Sequence, residues 1–245
     1  MLAFVAFYSK SQRLSARAWT DPLEIVVYPI NADRSDAVAE YIDSLEIVDF
    51  KPIDEFFKSE AEAFELGLLK PTQLRLGTEL SETPPKPPEG GMILEIMLWS
   101  LRLRYWAYTR VGESSLWNND QVQIFVLYHA PATNQALAHS LGLDKGLIGV
   151  VQAFSGDEHR AQNNIVIAHE LLHTVGATDK YDGHGRPVYP DGFVEPDKRP
   201  LYPQTYAEIM AGRISLSSEQ AVMPISLRYC SINYETAVEI NWIQE

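Results

Sequence analysis

Two histidines four residues apart, with a glutamate directly after the first, constrain this chain more than any other feature. Residues 163–179 read NNIVIAHELLHTVGATD. Ile165, Ala168, Leu172 and Val175 recur at spacings of three, four and three, which predicts one apolar stripe on a helix, with Asn163 or Asn164 as its N-cap. His169 and His173 then share one face, one turn apart and away from that stripe. Two imidazoles so placed can bind a single Zn²⁺ at about 2.0–2.1 Å. Glu170 is expected beside the metal rather than on it, where it can take a proton from water. Gly176 suits a left-handed helix end, and Asp179 follows three residues later, within reach of the same ion.

Composition narrows what such a helix can serve. Lys and Arg number 20 against 33 Asp and Glu, a net charge of −13, which argues against a phosphate-backbone partner and so against nucleic acid. The single cysteine, Cys230, excludes an internal disulfide framework and a multi-cysteine zinc knuckle. It also lies downstream of the helix, whereas a deformylase-type site needs a cysteine ligand upstream.

Along the chain, Leu23–Ile30, Gln73–Leu80, Gln121–Tyr128 and Gly146–Phe154 read as strands, the last as an edge strand because of its two glycines. Asp36–Leu45 and Pro52–Leu69 carry apolar residues at helical spacing. Pro84, Pro85, Pro87 and Pro88 form a stiff loop. Met92–Val111 is apolar and aromatic but interrupted by Arg102, Arg104 and Arg110, which predicts a buried amphipathic helix. The alternation implies an α/β (α+β) fold without internal repeats. At the N-terminus, residues 1–18 hold an apolar run, Leu2–Tyr8, followed by Lys10, Arg13 and Arg17. Seven residues cannot span a bilayer. The run is a first strand, a docking helix or the remnant of a membrane tether, and localisation stays open. Residues 19–245 are expected to form one catalytic domain.

The full pattern His-Glu-x-x-His-x-x-Gly-x-x-Asp resembles the zinc signature of the metzincin metallopeptidases, in the snapalysin-like variant with Asp as third ligand. The resemblance extends to the Asp-x-Tyr-x-Gly of residues 179–183 and to Glu208-Ile209-Met210-Ala211-Gly212, which looks like the Met-turn of that clan. It implies zinc held by His169, His173 and Asp179, Glu170 as general base, and Met210 in a floor beneath the ligands. It implies an upper part to about residue 176, with a twisted mixed sheet, and an irregular lower part, 177–245, ending in a helix near Tyr234–Ile240. It implies that a peptide or protein substrate pairs with the strand carrying Gly149, Val150 and Val151. Gly212 stands where many relatives have a tyrosine, so His184, Tyr202 and Tyr206 are the candidates for an oxyanion donor, and His184 also for an alternative ligand. Asp179, Asp182, Asp191 and Asp197 are candidates for Ca²⁺, without EF-hand spacing. The expected activity is that of a zinc endopeptidase. The rivals are an aminopeptidase or other gluzincin-type hydrolase, with a distant Glu as third ligand, and a catalytically silent binding protein of the same fold.

Overall fold

In a computed structural model the described residues are 14–88, 92–111, 121–131, 140–143 and 147–243. A five-stranded sheet organises them, in the order β2-β1-β3-β5-β4: β1 Leu23–Asn31, β2 Thr72–Leu76, β3 Val122–His129, β4 Leu141–Leu143 and β5 Ile148–Phe154. Four strands are parallel, and β4 runs antiparallel to β5 at the edge. The fold is therefore mixed α/β, as expected.

The strand sequences explain the layering. β1 and β3 are nearly continuous apolar runs because both sheet faces are covered. Ile25, Val27, Val122, Ile124, Val126 and Tyr128 face one core; Val26, Tyr28, Ile30, Phe125 and Leu127 face the other. The first core is closed by α1 (Asp36–Asp43), α2 (Lys51–Ala63) and α4 (Asp157–Thr174). The second is closed by α3 (Ile93–Val111), which contributes Trp99, Leu103 and Ala107. Contrary to expectation, α3 is buried on that stripe alone; Leu94, Met97, Leu98, Leu101, Tyr105 and Tyr108 lie outward and exposed. Among the described residues no helix is long and apolar enough to cross a membrane.

Past α4 the chain is irregular. It holds a short parallel pair, β6 (Ala207–Glu208) with β9 (Cys230–Ser231), a small hairpin, β7 (Ile214–Ser215) with β8 (Ala221–Val222), and a last helix, α5 (Tyr234–Glu239), capped by Asn233. Of the N-terminal segment, residues 1–13 lie outside the described residues. Residues 14–19 dock on this last helix, which puts them in the domain rather than in a separate piece. Trp19 Nε1 donates to the Ile240 carbonyl at 2.7 Å, and its ring meets Trp242 edge-on.

A candidate metal centre

The site is built at the C-terminal end of α4. The helix begins at Asp157, earlier than the asparagine caps predict. Asn163 and Asn164 lie inside it, buried, because their amides donate to the Phe154 and Asp49 carbonyls rather than capping the helix. The other end follows the sequence. Gly176 takes a φ of +108°, and two hydrogen bonds, Ala177 N to Leu172 O at 3.1 Å and Gly176 N to His173 O at 3.2 Å, close a Schellman turn. The turn brings the Ala177 carbonyl to His173 Nδ1 at 2.8 Å and sends the chain back across the histidines.

His169 is held in the same way, with its Nδ1 2.9 Å from the Ile209 carbonyl. Each Nδ1–H donating to a carbonyl leaves each Nε2 as a lone-pair acceptor. The two Nε2 atoms lie 3.1 Å apart, and Asp179 Oδ1 lies 3.2 Å from the first and 3.1 Å from the second. Zinc bonds of 2.0–2.1 Å at tetrahedral angles require donor separations of about 3.3 Å, so this triangle fits the ion.

Glu170 also lies within 4.8 Å of both histidines. The contacts of Asp179 are shorter, which makes it the better candidate for a third ligand. Glu170 is 4% exposed, and its Oε2 has no hydrogen-bond partner. Burial raises its pKa, with the histidines opposing.

The loop carrying Asp179 is clamped on both sides. Glu239 accepts from Thr178 N and from Lys180 Nζ, each at 2.9 Å. Lys180 N donates to the Met210 carbonyl at 3.0 Å. The turn at Met210 is shaped from within by Glu208, which is fully buried. Its Oε2 accepts from Met210 N at 2.6 Å and Ala211 N at 2.9 Å, and its Oε1 from Thr236 Oγ1 at 2.7 Å. Met210 is itself wholly buried. Because the Ile209 carbonyl orients His169, the Glu208 carboxylate holds a ligand's orienting group.

Burial pushes Glu208 up from an ordinary 4.5 to about 7. A raised folded value means the native state holds the proton more tightly, so this stabilisation is whole below pH 4.5 and is lost as pH rises to 7, at about 1.4 kcal/mol per pH unit. Urea unfolding at pH 5 and pH 7 is expected to show wild type losing about 2–3 kcal/mol more than Glu208→Gln across that interval. Equal losses would mean that Glu208 does not titrate there.

The edge of the sheet differs from expectation. Val150 pairs with Leu141, and Gly149 with Gly142, so β4 and not β5 is the outer strand. Gly149 marks close packing, since a Cβ there would come within 2.5 Å of Ile124. Gly142 marks closer packing still: a Cβ would lie 2.4 Å from His173 Cβ and 2.5 Å from the Glu170 carbonyl oxygen. Strand β4 thus lies directly against the ligand helix. The expected strand's first residues, 146 included, fall partly outside the described residues.

Tyr181, not singled out as a donor by sequence, belongs to the centre. Its ring stacks 6.3 Å from His169, and burial with the nearby Asp179 charge pushes its pKa up to about 12. The other candidates lie elsewhere. His184 is exposed in a turn closed by Asp182. Tyr202 packs on Phe193. Tyr206 lines a cavity of about 530 Å³ between α2 and residues 226–231. Of the four aspartates considered for Ca²⁺, Asp182 is paired with Arg186 at 3.0 Å. Burial raises the Cys230 thiol to about 12, far from a reactive thiolate. No model of a known protein family matches this sequence, and no curated protein matches it.

Proposed function

We propose that the chain is a zinc-dependent peptidase of metzincin type, with His169, His173 and Asp179 as ligands and Glu170 as general base. The observation that carries this reading is the meeting of three lone-pair acceptors at 3.1–3.2 Å beside a buried carboxylate oxygen without a partner. Acceptors this close repel one another unless a cation lies among them. When bound, zinc supplies a Lewis acid that polarises the scissile carbonyl and lowers the pKa of its water.

The remaining work falls to side chains. Glu170 takes the proton of the attacking water and returns it to the leaving amine; its raised pKa brings it nearer the value such a shuttle needs. Tyr181, still protonated at neutral pH, donates to the oxyanion that develops on the carbonyl carbon's oxygen. The outer edge of β4 offers backbone groups to an extended substrate, and Gly142 seats that strand against the helix bearing the histidines. The Met210 turn and the Schellman end support the resemblance to the metzincins over a gluzincin-type site with a distant Glu ligand.

The test is metal analysis of the purified protein together with cleavage of a peptide library. One zinc per chain is expected, with cleavage stopped by a chelator and restored by zinc. Zinc binding without any cleavage would assign the chain to the binding-protein alternative. Tyr181→Phe is expected to lower kcat by about 10²–10³-fold with zinc retained and KM little changed. An unchanged kcat would remove Tyr181 from the mechanism.

A further inference from the structure

Asp179 belongs to no helix or strand, yet its carboxylate meets both histidines. A distant carboxylate explains how. Glu239, the last residue of α5, binds the residues on either side of Asp179. Its Oε1 accepts from Thr178 Oγ1 at 2.5 Å, and its Oε2 from Thr178 N and Lys180 Nζ, each at 2.9 Å. Along an extended chain, successive side chains point to opposite sides. Thr178 and Lys180 turn to Glu239, and Asp179 turns the other way, where its Oδ1 lies 3.1–3.2 Å from the two Nε2 atoms. Lys180 is 6% exposed. An ammonium so buried is costly without a counter-charge, so the loop has little freedom to release Glu239.

Glu239 is held in turn by residues near the start of the sequence. α5 has six residues, too few to keep a helical shape in water unaided. Carbonyls at its end, otherwise without a helical partner, are taken by the segment that docks there. Arg17 Nη2 donates to the Glu239 carbonyl and Trp19 Nε1 to that of Ile240. Asn241 Nδ2 donates back to the Arg17 carbonyl at 2.8 Å. The Arg17 guanidinium also lies on the turn that leads to Asp179, since a Cβ at Gly176 would come 3.1 Å from its Cζ. Arg17 therefore touches both the glycine turn before Asp179 and the helix end that brackets Asp179.

We propose, on the basis of the zinc reading, that Glu239 and Arg17 are positioning residues for the third ligand: Glu239 turns Asp179 toward the histidines, and Arg17 holds Glu239 in register with the glycine turn. Both act through Asp179. The metal centre then depends on residues 14–19, which lie far from it in sequence.

The experiment is a zinc titration of the full chain against competing chelators. It compares wild type, Glu239→Ala, Glu239→Gln and Arg17→Ala, each with and without Asp179→Ala, with circular dichroism to check folding. Glu239→Ala is expected to weaken zinc about 10–100-fold, the range for removing a ligand's outer partner. Glu239→Gln keeps an oxygen acceptor for Thr178 and is expected to recover part of that loss. Arg17→Ala, one contact further out, is expected to weaken zinc about fivefold. Once Asp179 is replaced, each substitution should change zinc affinity by less than about twofold, because the ligand it acts through is gone. A merely structural role would lower affinity equally in both backgrounds. If Glu239→Ala fails to fold with Lys180 left unpaired, the Glu239→Gln and Arg17→Ala comparisons decide. Wild-type affinity in the Glu239 and Arg17 variants, or equal losses with and without Asp179, would overturn the positioning role and leave the zinc reading standing. A wild type that binds no zinc, or binds it as tightly after Asp179→Ala, would overturn the zinc ligand set and the positioning role with it.

Discussion

Glu170→Gln is expected to lower kcat by about 10²–10⁴-fold on every peptide the wild type cleaves, the range removed with a general base. The amide has nearly the carboxylate's shape, so the helix and the three ligands should persist. It cannot take up a proton, because its nitrogen is a donor and its oxygen is barely basic. The effect should be large because nothing nearby can substitute: Glu170 is 4% exposed, and its Oε2 is the unpartnered buried oxygen at the centre. Substrate affinity should change little, since pairing with β4 uses backbone groups, so the variant should retain peptide it cannot turn over. Steady-state kinetics with metal analysis on the same samples decide it. A variant within tenfold of wild type, with zinc bound, would sink the assignment of Glu170.

Removal of a histidine ligand should act earlier, on the metal itself. His169→Ala or His173→Ala leaves two protein ligands of three, and neither variant should retain a stoichiometric, tightly held zinc. Asp179→Ala should weaken zinc strongly, by more than the 10–100-fold typical of losing an outer partner. His184→Ala should leave it intact, because His184 is exposed in the turn around Asp182. Stability should follow occupancy. At free zinc about a thousand times the dissociation constant, the ion contributes about 4 kcal/mol, which a chelator should remove from wild type and not from His173→Ala. Retention of a full zinc by either histidine variant would place the metal elsewhere, and loss of zinc from His184→Ala would make that residue the third ligand.

The ligand helix and its sharp end were legible because both are local. The i, i+4 spacing of His169 and His173 puts two rings on one face in any α-helix, and a glycine three residues on permits the left-handed turn. The glycine's φ of +108° and the return of Asp179 to 3.1–3.2 Å follow from that geometry. The strands Leu23–Asn31 and Val122–His129 were legible for a related reason: runs of β-branched and aromatic residues suit a sheet covered on both faces. The start of α4 was misjudged because an asparagine caps a helix only if its side chain has no better acceptor. Asn164 finds the Asp49 carbonyl, 115 positions away in sequence, at 2.8 Å.

By itself, then, the sequence determined the arrangement that depends on neighbours within one or two helical turns: the histidine pair, the glutamate beside it, the glycine turn and the aspartate beyond. What depends on segments far apart was decided only by tertiary structure. β4 is three residues long, too short for a periodic signal, and is the edge solely because it pairs with β5 over the helix. Tyr181 reaches the centre because a clamp from Glu239, about 60 positions later, holds its loop against the histidines. Glu208 is buried because three donors from its own turn and from α5 meet its carboxylate. The apolar content of α3 was evident in sequence, but which of its faces meets the sheet, and which is left exposed, is settled only when the sheet takes one of them. A periodic pattern gives the faces of an element; the rest of the fold determines what each face meets.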